Sequence, residues 1–238
     1  MFKIEITKSA QKDFKSFDKK RSKIYFLKMK KIFAAIFTFA ALFSICAAIF
    51  DLFITIEKPI LATFYFFTAA FLICFWQKKI FRKIFSRVDF RDFLILFFAI
   101  FAHAATFYFC RKFGAPPDLI AKNAVSFLLL NLFFLISKPF EIFLQQILIA
   151  FLTEKLRAAK MRLKKIIFIF VIFFGFLHLF LTKNLGAEIT FYFTFFAILS
   201  AAIFPILLLK SRRGFFWNCA IHLFFYDFSA AVFWFLAK

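Results

Sequence analysis

The chain has 238 residues, 64% of them hydrophobic, a mean hydropathy of +0.88 and a formal net charge of +21. Soluble domains are about 45–50% apolar, so this composition excludes an ordinary soluble globular protein and points to a polytopic membrane protein. The positive charge is spread over segments that flank apolar runs, with no nucleic-acid fold motif beside it, so membrane lipids are the expected partners and nucleic acid is not.

In chain order, residues 1–31 form a basic segment. Its stretch KDFKSFDKKRSKIYFLKMKK mixes Phe, Ile, Leu and Tyr with lysines, as an interfacial helix does. A first span follows from Ile32 to Ile56. Its apolar run exceeds the roughly 7–15 residues of a secretory signal core, which predicts a retained first helix. Further spans are expected at Pro59 to Trp76, Phe93 to Phe109, Ala124 to Leu152, Ile166 to Leu181, Ile189 to Leu209 and Phe215 to Ala237. Crossing a hydrocarbon core about 30 Å thick takes about 20 helical residues. Backbone polar groups in lipid must be satisfied within the segment, so these are helices. A β-barrel would alternate apolar and polar residues over strands of about 10 residues, and no such alternation is present.

The fourth stretch carries Lys138 and Pro139 near its middle. Proline removes a backbone donor and disfavours helix at the residue before it. The stretch is either one long kinked helix or two shorter ones, giving seven or eight helices in an all-α bundle. Lys and Arg collect in cytoplasmic loops. Residues 1–31 hold eleven, 77–92 six, 153–165 six and 210–213 three, which is 26 of the 33; the connections between them hold five. That alternation places the N-terminus in the cytoplasm of an inner (plasma) membrane, and it holds only if residues 124–152 make one net crossing.

Cys46, Cys74, Cys110 and Cys219 lie in or at the ends of spans with no C-x-x-C pair, so they are expected to be reduced packing residues. Ionisable side chains within a membrane are costly and face a cavity or a partner. The inventory is Asp51, His103, Asn131, Glu141, Gln145, Gln146, His178, Asn218, His222 and Asp227. Asp51, close to Glu57 and Lys58, is expected at the interface. His103 and Asn131 are expected to bond neighbouring helices. Glu141, His178 and His222 recur on three successive downstream helices. At 100° per residue, Gln145 lies about 40° from Glu141 and Asn218 about 40° from His222; Tyr226 and Ser229 share the second face.

These residues carry a resemblance. FFGFLHLF contains Phe174-x-x-x-His178, NCAIHLFFYDF places His222 44 residues later, and SKPFEIFLQQ places Glu141 37 residues earlier. The order and spacing resemble the CAAX prenyl proteases and bacteriocin-immunity-related proteases, whose helices carry EExxxR, then FxxxH, then HxxxN or HxxxD. The likeness covers roughly residues 120–235, so 120–238 is expected to be a CAAX-protease-like core, and 32–119 a set of N-terminal transmembrane helices. It implies that Glu141 activates a water for attack on a peptide bond, with His178 and His222 stabilising the oxyanion. Gln145 or Gln146 falls at the family's arginine. Tyr226 falls at its Asn or Asp, with Asp227 one residue late and Asn218 one turn before His222. The implied substrate is a membrane-bound or lipidated peptide or protein.

One Glu and two His also make up a zinc triad. No H-E-x-x-H brings two ligands onto one helical turn, so no metal and no other cofactor is expected. Three other readings stand beside the peptidase. They are an inactive relative that binds a membrane partner, a small transporter in which His and Glu relay protons, and a set of separate interhelical hydrogen bonds.

Overall fold

The computed structural model describes residues 24, 26–45, 48–49, 58–86, 88–114, 130–182 and 186–236, apart from the side chains at 83 and 180–182. Most of the basic N-terminal segment, Cys46, Asp51 and residues 124–129 of the fourth stretch lie outside the described residues. Those described contain eight helices and no strand. They are α1 (26–45), α2 (Pro59–Trp76), α3 (Lys78–Phe85), α4 (Phe90–Phe113), α5 (Leu132–Ala158), α6 (Leu163–Thr182), α7 (Ala187–Lys210) and α8 (Gly214–Leu236). Five of them, α2, α4, α5, α7 and α8, are long and apolar enough to cross a membrane.

Local chemistry explains the helix boundaries. Pro59 opens α2 at a position where a missing N–H is harmless. Asp89 caps α4 in a reciprocal box, its Oδ1 accepting from the Arg91 N–H while Asp92 Oδ2 accepts from the Asp89 N–H. Asn131 caps α5, its Oδ1 accepting from the Phe134 N–H at 2.9 Å. Asn131 therefore starts a helix at Leu132, where the hydropathy pattern alone ran the span back to Ala124. From there α5 continues unbroken through Lys138 and Pro139, so the fourth apolar stretch is one helix over its described length.

Helix directions follow from contacts at both ends. Ser137 Oγ donates to the Pro59 carbonyl near the starts of α2 and α5, and Trp76 stacks on Phe151 toward their ends, so the two run parallel. In α4 and α8, Arg213 pairs with Asp89 at the start, His103 with Asp227 midway, and Arg111 lies over the Trp234 ring at the end. They too run parallel. The short helix α3 is amphipathic. Its Phe81 is buried and its Phe85 meets Phe215 edge-on at 5.3 Å, while Lys78, Lys79 and Arg82 are exposed.

At the centre is α5, with 61% of its most apolar stretch buried against 11–33% for the other four long apolar helices. Those outer helices turn phenylalanines such as Phe64, Phe101, Phe191 and Phe224 outward, a pattern suited to lipid rather than water. Phe39 and Phe43 of α1 interlock with Phe170, Phe173 and Phe174 of α6 at centroid distances of 5.2 to 6.5 Å. Gly175 lets α6 approach α7, since a Cβ there would sit 3.3 Å from Ile198 Cγ1.

Candidate functional site

The buried polar side chains concentrate on α5: Ser137, Lys138, Glu141, Gln146 and Thr153. At 1.5 Å per residue, Lys138 and Glu141 stand about 9 and about 14 Å along the axis from Leu132. The Lys138 ammonium lies 2.6 Å from Glu141 Oε2, and Gln145 Nε2 donates to Glu141 Oε1 at 2.6 Å. Both carboxylate oxygens are thus engaged from the same helix, by residues three before and four after. That is the spacing at which helical side chains meet.

From α8, His222 and Tyr226 face this group. His222 Nδ1 is 2.9 Å from Gln146 Nε2, the Lys138 ammonium lies 4.4 Å from the centre of the Tyr226 ring, and the His222 and Tyr226 rings stack at 5.4 Å. His178 of α6 and Lys138 are near enough to His222 for their charges to act on it, and Glu141 is likewise near Tyr226. An ammonium over an aromatic face is attracted by the ring quadrupole. Lys138 is therefore held by a carboxylate on one side and a π face on the other.

Each of the other candidates makes a hydrogen bond outside this group. His178 Nδ1 donates to the Phe174 carbonyl of its own helix at 2.9 Å. Asn218 shares a face with His222, yet its amide donates to the Phe204 carbonyl of α7 at 3.1 Å, next to Pro205. Asp227 points away, as its 140° offset from His222 implies; Asp227 Oδ1 is 2.6 Å from His103 Nδ1, while His103 Nε2 donates to the Phe134 carbonyl at 3.1 Å. Tyr192 and Ser229 hydroxyls meet at 3.1 Å between α7 and α8. The structure thus groups Glu141, Gln145, Gln146 and His222, with His178 beside them. Asn218 and Asp227 belong to separate helix contacts.

Sequence reasoning missed Lys138. Beside Pro139 it reads as part of a possible break in the fourth span, although a lysine three residues before a glutamate on one apolar helix is itself a signal of a neutralised pair. At the start of α4, Arg213 reaches Asp89 Oδ2 at 2.8 Å and Asp92 Oδ1 at 3.3 Å, with Arg212 3.2 Å from Asp89. Two cations read as topology markers therefore also tie the start of α4 to the turn before α8. Burial would raise the Asp89 carboxyl, but its hydrogen bond and charge contact with Arg213, and those to the Arg91 and Asp92 backbone, outweigh it and hold the group below the ordinary carboxylate range.

An apolar groove of about 590 Å³ between Ile36 of α1 and Phe168, Ile172, Phe173 and Phe176 of α6 contains none of the polar group. Among the described residues no three His, Cys, Asp or Glu side chains gather as metal ligands would. Comparison with protein-family models, with curated proteins and with solved structures finds no match to this chain.

Proposed function

We propose that this chain is a membrane-embedded peptidase of the kind its sequence resembles, acting on a peptide bond of a membrane-associated substrate. One observation carries the reading. Glu141 of α5 and His222 of α8, two of the three residues that carry the sequence resemblance, meet in one buried polar group through the adjacent Gln145 and Gln146, and the charge of the third, His178 of α6, reaches His222. In the reaction Glu141 takes a proton from a water whose oxygen attacks the scissile carbonyl, and an imidazole N–H donates to the developing oxyanion. Lys138, 2.6 Å from Glu141 Oε2, holds the carboxylate in place. The proposed topology has seven crossings, with the N-terminus and the connections at 77–92, 153–165 and 210–213 in the cytoplasm.

A second reading is supported by the same ion pair. With Lys138 and Gln145 each 2.6 Å from the carboxylate, Glu141 is held as a structural anion, as suits a non-catalytic relative that binds a membrane partner. Membranes carrying wild type or Glu141→Gln, given a broad panel of membrane-associated substrates, separate the two. New peptide N-termini that appear only with wild type support the peptidase. Identical peptide sets from both favour the binding protein.

A further inference from the structure

The two imidazoles of the site are held by unlike partners. His178 Nδ1 faces a backbone carbonyl, that of Phe174, at 2.9 Å. A carbonyl only accepts, so this nitrogen carries the proton and, in a neutral ring, Nε2 is the acceptor. His222 Nδ1 faces the amide nitrogen of Gln146 at 2.9 Å. An amide NH2 only donates, so here Nδ1 is the acceptor and the proton sits on Nε2. Charge is costly inside a membrane, which favours the neutral form of both rings.

Gln146 is well placed to impose this. It is fully buried on the central helix, and its Oε1 makes no hydrogen bond among the described residues, so its one polar contact there is with His222. The ring of His222 is also fixed in space, between Phe204 at 5.5 Å and Tyr226 at 5.4 Å.

We infer that the site holds its two histidines in opposite tautomers, His178 as the Nδ1–H form and His222 as the Nε2–H form, and that Gln146 is the positioning residue that sets the second. The consequence for chemistry rests on the peptidase reading. His222 presents an N–H suited to an oxyanion. The tautomers themselves do not depend on that reading.

The test uses the full chain in lipid bilayers with 15N-labelled histidine. Only three histidines are present, so solid-state NMR spectra of wild type and of each single His→Gln variant assign every ring nitrogen. His103, whose Nε2 faces the Phe134 carbonyl, serves as the internal reference for a protonated Nε2. The expected spectrum shows protonated Nδ1 and bare Nε2 for His178, and the reverse for His222. Gln146→Glu replaces the donor with an acceptor and moves the His222 proton to Nδ1; Gln146→Leu yields a mixture; neither alters His178. A wild-type His222 that is protonated at Nδ1, or doubly protonated, overturns the inference without need of any variant. A His222 spectrum unchanged in both variants overturns the role of Gln146. Loss of the peptidase reading shows separately, as absence of cleavage by a protein with the expected spectrum.

Discussion

Helix α8 sends ionisable side chains to two buried neighbourhoods, and the two are built differently. On one face Asp227 meets His103, whose other nitrogen meets the Phe134 carbonyl. Both ring nitrogens face an oxygen acceptor, and the unit closes on itself between α4, α5 and α8. On the other face His222 and Tyr226 join Lys138, Glu141, Gln145 and Gln146. That group mixes charges and amides and leaves Gln146 Oε1 without a hydrogen bond among the described residues. A satisfied unit fastens helices. A buried polar atom left without a partner calls for an explanation that a closed unit does not need.

The largest effect is expected at the Lys138–Glu141 ion pair. Lys138→Met leaves the Glu141 carboxylate buried beside Gln145 without its cation, and removing one partner of a buried pair costs about 3–5 kcal/mol. Thermal unfolding in lipid or detergent should show it as a lowered midpoint. The double change Lys138→Met with Glu141→Leu should restore much of the loss; equal damage from single and double variants would mean that the two do not act as a pair.

A smaller effect is expected at the closed unit. Asp227→Asn weakens one buried hydrogen bond to His103, worth up to about 1.5 kcal/mol, and should lower the unfolding midpoint while sparing any cleavage that Glu141→Gln abolishes. Cleavage lost in Asp227→Asn at full stability would move that unit into the functional site. Asn218→Leu gives up one neutral hydrogen bond, about 1 kcal/mol, and tests whether the bond to Phe204 is the whole of its role. An activity loss out of proportion to that change would place Asn218 with His222 after all.

The mildest change lies at the Asp89 clamp. Asp89 titrates below its ordinary value in the folded chain, so its contribution is complete above the unfolded value of about 3.9 and is lost as pH falls through the lower folded one. The gap in unfolding midpoint between wild type and Asp89→Asn should therefore close in acid. A gap that holds constant with pH would assign the clamp to packing rather than charge.

Much of the fold was legible in one dimension. Apolar run length located the long helices, because a lipid interior demands apolar, internally bonded segments whatever their neighbours. The N-cap at Asn131 was legible too, since Asn directly before an apolar run is a start signal, but hydropathy overrode it. The site was legible only in part. Helical phase put Gln145 with Glu141 and turned Asp227 away from His222, because both relations lie within one helix. Phase could not say that Asp227 meets His103, that Asn218 serves the Phe204 carbonyl, or that Lys138 sits over Tyr226.

By itself, then, the sequence determined a helical membrane protein and the residues worth watching in it. The tertiary structure alone decided which of those residues meet. The physical reason is that lipid-facing and partner-facing surfaces are equally apolar here, so the rotation and pairing of each helix are set by side-chain packing and hydrogen bonds between segments far apart in the chain.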